Sequence, residues 1–223
     1  MAFSATAQQL SYSDPAISYQ RILLEKSGEG TFQQIGNFKV TGTSFLYGGN
    51  QKGNIYTPKE KAESATISYN TYNQQVHVLQ QGQDKELVMA LKEVDSFELF
   101  VNDKSGTQVL NFINGTLKDP SRKLFMQVVY GGARFSLYKS YTSTLGYVST
   151  NYVQSDLRQF DLLVDYYYSD NAKPGLKKLR LSSKAIKAEF KDIADLTEIL
   201  NKEDFEKNTE LALKEIFALL NTK

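Results

Sequence analysis

The chain has 223 residues, with 26 Lys and Arg against 25 Asp and Glu, which gives a formal net charge of +1. This balance argues against a strongly basic nucleic-acid binder and against an acidic tail protein. The absence of Cys excludes thiol catalysis, thiolate zinc sites and a disulfide framework within the chain. The 14 Tyr and 13 Phe, set beside only 4 Pro, favour β structure.

The first residues predict export. Ala5-Thr6-Ala7 fits the small-x-small pattern of a signal cleavage site, with Gln8 as the mature start. Gln, Ser and Gly recur after it, so we expect residues 1–34 to form a signal remnant and an extended arm. No run approaches the ~20 apolar residues of a transmembrane helix, and we therefore expect no transmembrane segment.

Residues 35–182 predict an antiparallel β body of about 8–12 strands. Short runs that alternate apolar and polar residues recur between turn-forming residues, as in 66–70 and 75–80 on either side of the turn at 71–74. This pattern is typical of a meander in which successive strands pair. It leaves open whether the strands form an open sheet, a sandwich or a barrel.

Three connections in this body have specific expectations. Asn102 to Gly106 is predicted to be a turn, and Asn114-Gly115 is the dipeptide typical of a two-residue hairpin. Residues 142–157 are rich in Ser, Thr and Tyr and low in charge, so we expect a long surface loop or a mobile flap there.

The apolar period changes at Ser183 from two residues to about 3.6, which predicts helices. Two are expected, at roughly 183–200 and 203–221. Because helices of this length are marginal alone, we expect the C-terminal segment 183–223 to dock on the β body. The fold class is therefore α+β, mostly β, with an antiparallel meander followed by two C-terminal helices.

The ends and the buried faces of these helices are also predictable. Ser182 or Ser183 is placed to cap the first helix, and Asn201 to cap the second. The apolar stripes of the two helices predict four buried side chains, which are Phe190, Ile193, Ile216 and Phe217.

Three motifs follow one another between residues 40 and 101: Gly42-Thr43-Ser44-Phe45-Leu46, Gly53-Asn54-Ile55-Tyr56 and Ser68-Tyr69-Asn70-Thr71-Tyr72-Asn73. They resemble the Gly-Ser-Pro-Tyr-Leu-like, Gly-x-Val/Ile-Tyr and Arg-Tyr-Asn-x-Tyr-Asn segments of an uncharacterised group of exported β-rich proteins from Bacteroidota. Ser68 stands where that group has Arg.

The resemblance continues to about residue 220 through three further stretches, which are 129–139, Tyr166-Tyr167-Tyr168 and the Lys-rich region after Lys184. It implies export to the bacterial periplasm or cell surface and a β-rich body with a helical end. It implies no activity.

The candidates for catalysis are few. His77 is the single histidine, and its strand phase, opposite Val76 and Val78, predicts an exposed strand residue rather than part of a Ser-His-Asp site. Asp161 and Asp165 lie four residues apart on one strand face, too far apart for a typical glycosidase pair, so solvated positions are expected. No glycine cluster has the spacing of a phosphate-binding loop.

A set of tyrosines is the remaining candidate site. Exposed tyrosines suit protein or glycan surfaces, although tyrosine also fills β-sheets simply because it is a favoured strand residue. The candidate interaction surface consists of Tyr138, Tyr141, Tyr147, Tyr152 and Tyr167.

These observations favour a non-catalytic exported scaffold or interaction protein. We expect no catalytic residues, no metal and no cofactor. The expected partner is another exported protein or a glycan, and nucleic acid is not expected. The alternative is a β-barrel carrier of a small apolar ligand, which would need an apolar cavity of at least about 300 Å³.

Overall fold

The structure, a computed structural model, describes residues 33–35, 38–79, 85–103, 106–147, 157–200, 205 and 208–222. The strands are β1 (Gln33–Ile35), β2 (Phe38–Thr41), β3 (Gln51–Tyr56), β4 (Lys61–Asn70), β5 (Gln75–Leu79), β6 (Leu87–Ala90), β7 (Ser96–Asp103), β8 (Gly106–Asn114), β9 (Phe125–Tyr130), β10 (Phe135–Tyr147), β11 (Leu157–Asp170) and β12 (Lys173–Leu179). The described helices are α1 (Ser183–Phe190), α2 (Thr197–Leu200) and α3 (Thr209–Leu220). The predicted fold class is confirmed.

The chain divides into two compact units, Met1–Ser44 with Ser143–Leu162, and Phe45–Thr142 with Leu163–Lys223. In the first unit, β2 pairs antiparallel with β1 and parallel with the start of β11, where Val40 lies opposite Arg158. Most of the predicted arm, residues 1–32, lies outside the described residues.

The predicted loop at 142–157 is wrong in its first part, because β10 continues to Tyr147. The residues concerned, Thr-Ser-Thr-Leu-Gly-Tyr, include a tyrosine and two β-branched threonines, which are residue types that favour strands. A low charge and many hydroxyls do not distinguish a loop from such a strand. Residues 148–156 lie outside the described part of the chain.

The sheet of the second unit follows the order β11-β10-β9-β8-β7-β3-β4-β5-β6, with β12 on the other side of β11. The strand pairs that the structure describes in this sheet are antiparallel, as the meander predicts. The exception to chain order is β3, which lies between β4 and β7. It pairs Lys52 with Thr66 on one side and with Phe100 on the other.

The short connection between β6 and β7 shows that this sheet is strongly coiled. β6 and β7 run in the same direction with three strands between them, yet only residues 91–95 connect them. Five residues cannot cross three strands and also return along the strand length in a flat sheet. Accordingly, the rings of Tyr69 on β4 and Phe125 on β9 lie 5.7 Å apart, although three strands separate β4 from β9.

The inside of the coil is filled by aromatic rings, which we call the sheet core. Phe97 stacks on Phe112 with 4.7 Å between centroids, and Tyr69 and Phe125 pack edge-on against this pair. All four side chains are almost completely buried. Burial raises the pKa of the Tyr69 hydroxyl far above its ordinary value of 10.0, so this group stays protonated.

The C-terminal helices cover a second aromatic cluster, the helix core, on β10 and β11. Four of its rings, Phe135, Tyr168, Phe190 and Phe217, are linked by edge-on contacts. Burial of Phe190, Ile216 and Phe217 is confirmed, while Ile193 is half-buried. Among the residues described, no helix is long and apolar enough to cross a membrane.

The predicted first helix is too long, because α1 ends at Phe190 and α2 begins only at Thr197. Asp195 marks the start of the new helix. Its carboxylate accepts hydrogen bonds from the Thr197 N–H at 3.0 Å and from the Thr197 hydroxyl, so it satisfies the first N–H group of α2. The cap at Ser182 is confirmed, since its hydroxyl accepts the Ala185 N–H at 3.2 Å. Asn201 lies outside the described residues.

Helix α3 is fastened to the sheet at both ends. At its start, Glu210 lies 2.8 Å from Lys139 on β10 and accepts a hydrogen bond from the Tyr166 hydroxyl at 3.3 Å. After its end, the Asn221 amide accepts the N–H groups of Arg134 and Phe135 and donates to the Phe135 carbonyl at 2.9 Å. Asn221 therefore extends the hydrogen bonding of β10 as a neighbouring strand would.

Candidate functional site

A cleft of about 440 Å³ opens where three connections of the coiled sheet meet. These connections are the β4–β5 turn, the β6–β7 connection and the β8–β9 connection. The coil brings them together although they are distant in the sheet order. The lining residues are Asn73, Gln74, Gln75, Ala90, Leu91, Lys92, Asn114, Thr116 and Lys123.

Gln74 fixes the first wall of the cleft. Its amide nitrogen donates to the carbonyls of Thr71 at 2.9 Å and Tyr141 at 3.0 Å. Its amide oxygen accepts the Tyr69 hydroxyl at 2.7 Å and the Phe125 N–H at 2.9 Å. The β4–β5 turn is therefore tied to both β9 and β10, and the Gln74 side chain has little freedom to move.

Asn114 fixes the opposite wall in the same way. Its amide nitrogen donates to the carbonyls of Leu91 at 2.8 Å and Val94 at 3.1 Å. Its oxygen accepts the N–H of Thr116 at 3.0 Å and the Thr116 hydroxyl at 2.7 Å. One side chain thus joins the β6–β7 connection to the β8–β9 connection.

This arrangement corrects the predicted two-residue hairpin at Asn114-Gly115. β8 and β9 are separated by ten residues, 115–124, and Asn114 caps a short 3₁₀ turn instead. Gly115 is needed for the close approach of the chain, because a Cβ there would lie 2.7 Å from the Leu124 carbonyl oxygen. Residues 104 and 105 of the turn predicted between Asn102 and Gly106 lie outside the described residues, and Asp103 pairs with Gly106 on either side of them.

The mouth of the cleft offers cations and neutral hydrogen-bonding groups. Lys92 and Lys123 are exposed, and Gln75 and Thr116 are half-exposed. No carboxylate is among the lining residues. Such a surface suits a ligand that presents carboxylate and hydroxyl oxygens, since ammonium and amide N–H groups donate to both.

His77 is buried, with 2% of its side chain exposed, which corrects the expectation of an exposed strand histidine. Both faces of β5 are covered, because Val76 and Val78 are also buried. Phe45 packs edge-on against the imidazole with 5.1 Å between centroids. Alternation identifies the residues that share a strand face, but it does not reveal whether that face is wet.

The groups around His77 are those of a nucleophilic triad, namely a carboxylate, an imidazole and a serine hydroxyl, but the serine is not accessible to a substrate. Glu86 lies 3.1 Å from Nδ1, Nε2 has no hydrogen-bond partner among the described residues, and Ser68 lies opposite His77 in the register of β4 and β5. However, Ser68 is 6% exposed and its hydroxyl oxygen accepts the Asn50 N–H at 2.8 Å. A substrate carbonyl cannot reach this oxygen, so the cluster is a packing feature.

The two aspartates of β11 are solvent-facing. Asp161 is exposed, and Asp165 is half-exposed and pairs with Lys178 at 2.7 Å. Within the described ranges, no group of three or more His, Asp and Glu side chains is placed to hold a metal ion.

Three of the five predicted site tyrosines lie in the interior. Tyr138 and Tyr141 are each 3% exposed and Tyr167 is 6% exposed. The Tyr141 hydroxyl donates to Gln127 at 2.6 Å, and the Arg122 guanidinium covers the Tyr167 ring at 4.7 Å. The alternative interpretation, that these tyrosines fill the sheet, therefore describes all three. The Tyr147 side chain and Tyr152 lie outside the described residues.

The cleft was not predicted from the sequence. The sequence places Gln74 only in a turn and Asn114 only in a hairpin, and nothing in the local sequence indicates that their amides bridge distant strands. Comparison with protein-family models, curated proteins and solved structures finds no match for this chain.

Proposed function

We propose that this chain is a non-catalytic exported interaction protein of the bacterial periplasm or cell surface, and that it binds its partner at the cleft. The observation that supports this most directly is the fixation of both walls by Gln74 and Asn114, which each make four hydrogen bonds. A site held in place before binding loses little conformational freedom when the partner arrives.

The chemistry of the mouth indicates the partner. Lys92 and Lys123 supply positive charge, and Gln75 and Thr116 supply neutral donors and acceptors. We therefore expect a segment rich in carboxylate and hydroxyl groups, supplied by another exported protein or by a glycan. Export itself rests on Ala5-Thr6-Ala7 and on the resemblance to exported Bacteroidota proteins.

The alternative function, a carrier of a small apolar ligand, requires an empty apolar interior. The interior of the coil instead holds the sheet core, in which Phe97 and Phe112 stack in contact. The cleft at the surface contains charged and amide groups, which an apolar ligand would desolvate without compensation.

A double variant that removes both cleft lysines tests whether the cleft is the binding site. Soluble acidic glycans and acidic peptides are screened for binding to the wild type, to Lys92→Ala/Lys123→Ala and to a control, Lys59→Ala/Lys85→Ala. The control removes the same charge from exposed positions that do not line the cleft. We expect the best ligand to bind the cleft variant at least ~10-fold more weakly and the control unchanged, since charge-assisted hydrogen bonds are lost only at the cleft. Equal affinity for all three proteins would reject the cleft as the binding site.

A further inference from the structure

The near-neutral net charge conceals one strongly basic segment. Residues 173–191 contain seven Lys and Arg but a single acidic residue, Glu189. The rest of the chain therefore has 19 basic against 24 acidic residues, out of totals of 26 and 25. This segment forms β12 and α1.

The basic residues of α1 share one side of the helix. Ile186 and Phe190 are buried and mark the inner side. At 100° per residue, Lys184, Lys187 and Lys191 fall within an arc of roughly 60° on the outer side. All three are exposed, as is Arg180 just before the helix. We call these four residues the basic strip.

Neighbouring carboxylates neutralise β12 more than the basic strip. On β12, Lys177 pairs with Glu189 at 3.2 Å and Lys178 with Asp165 at 2.7 Å. In the strip, Lys187 donates to the Thr197 hydroxyl at 2.6 Å. Arg180, Lys184 and Lys191 form no ion pair with any residue that the structure describes. Their positive charge is therefore available to a partner.

We propose that the basic strip binds a linear anionic polysaccharide, one with a carboxylate or sulfate on its successive sugars. Lys184 and Lys191 lie about 10 Å apart along the helix axis at 1.5 Å per residue, so the cations form a narrow row and not a compact pocket. Flexible lysine ammonium groups suit repeated charges on a polymer better than one rigidly bound anion.

Other anionic partners fit the strip less well. Binding of single-stranded nucleic acid uses aromatic side chains on which bases stack, and the strip contains none. Adsorption to an anionic membrane uses a broad apolar face beside the cations, whereas the apolar residues among the strip cations that are not buried are one exposed leucine, Leu181, and two alanines. The strip is also separate from the cleft, because none of its residues lines the cleft.

The test uses a polygalacturonate oligomer as the probe, with a neutral glucan oligomer of equal length as its control. Calorimetry at a series of salt concentrations compares the wild type, Lys184→Ala/Lys191→Ala and the control Lys59→Ala/Lys118→Ala, whose lysines are also exposed. We expect the wild type to bind only the anionic oligomer. Removal of the two strip lysines should weaken binding at least ~10-fold and reduce the slope of log affinity against log salt by about two, as release of two counterions predicts. The control should bind like the wild type.

The proposal would be overturned by no binding of the polygalacturonate, by equal weakening in both variants, or by strip-dependent binding confined to DNA or to vesicles of anionic lipid. Since the substituted side chains are exposed, unchanged circular dichroism and melting temperature should verify that both variants fold. Loss of polygalacturonate binding in the cleft variant Lys92→Ala/Lys123→Ala, with retention in the strip variant, would assign this ligand to the cleft and reject the strip.

Discussion

The sheet core and the helix core each contain four aromatic rings in contact, but the polar groups that secure them differ in charge. Around the sheet core, the neutral amides of Gln74 and Asn114 connect distant strands. Around the helix core, charged bonds join Glu210 to Lys139, and Glu189 to Lys177 and the Tyr168 hydroxyl, in addition to the neutral amide of Asn221. The two cores are therefore packed in a similar way but should differ in how strongly their stability depends on pH. The sheet core should tolerate acid, whereas the docking of the helices should weaken.

Removing a ring from the helix core should have the largest effect. Phe190 is 1% exposed and contacts Phe135, Tyr168 and Phe217. We expect Phe190→Ala to lower the free energy of unfolding by about 3–5 kcal/mol, measured by urea denaturation, because the lost contacts leave a cavity. Leu211→Ala on α3, at a side chain that is 59% exposed, is the control and should cost less than about 0.5 kcal/mol.

Hydrogen exchange on the Phe190→Ala protein tests whether the sheet core and the helix core unfold independently. If the two cores unfold separately, the amides of α1 and α3 lose protection while those of β3 and β7 keep it. Equal loss in all four elements would show that the two cores unfold as one unit.

Removing the amide of Gln74 should cost about 2–4 kcal/mol. Gln74→Ala leaves the buried Phe125 N–H, the Tyr69 hydroxyl and the Tyr141 carbonyl without this partner. The loss should be the same at pH 4 and pH 7, because no charged group takes part. Gln75→Ala, at the half-exposed neighbouring position, is the control. A loss below 1 kcal/mol for Gln74→Ala would contradict its role in fixing the coil.

His77→Ala should destabilise the protein by about 1–3 kcal/mol, because it removes a buried ring that packs against Phe45. Leu79→Ala on the same strand is the control, since Leu79 is 37% exposed. Both are measured by thermal denaturation at pH 8. A loss below about 0.5 kcal/mol would restore the sequence-based expectation of a surface histidine.

The smallest predicted effect is the acid sensitivity of α3. Burial raises the pKa of Glu210, but Lys139 and Lys214 outweigh burial and hold it below the ordinary value of 4.5. A lowered pKa in the folded state means that the pair stabilises the protein fully above about pH 4.5 and loses this contribution as the pH falls through the lowered value. Glu189 acts in the same direction, because the Tyr168 hydroxyl lowers its pKa.

Glu210→Gln tests this sensitivity. It should cost less than about 1 kcal/mol at pH 7, because a partly exposed ion pair contributes little. It should also flatten the fall in stability between pH 5 and pH 3, measured by urea denaturation at each pH. An unchanged acid profile in this variant would show that other carboxylates control the docking of α3.

The sequence predicts local features of both regions well. Alternation locates most strands, the change of period at Ser183 locates the helices, and the apolar stripes identify Phe190, Ile216 and Phe217 as buried. Each of these depends on residues close together in the chain. The sequence does not predict the start of α2, because Asp195 resembles an ordinary surface residue and only the structure shows its carboxylate bonded to the Thr197 N–H.

The features that the sequence does not predict depend on contacts between strands that are distant along the chain. The burial of His77 depends on Phe45, which lies 32 positions earlier, and the cleft depends on bonds from Gln74 to β9 and β10. An amide side chain can bond to the backbone of any residue, so the identity of Gln74 does not reveal its partners. The identity of His77 likewise does not reveal that Phe45 packs against it.

The position of β3 between β4 and β7 has a consequence for synthesis on the ribosome. β3 can pair with β4 as soon as the following hairpin emerges, but its other edge must wait more than 40 residues for β7. Gly53 allows β7 an unusually close approach there, since a Cβ would lie 1.9 Å from the Glu98 carbonyl oxygen. Until β7 arrives, the unpaired edge of β3 can pair with the same strand of a nascent neighbour, so slow translation between residues 57 and 103 should increase aggregation.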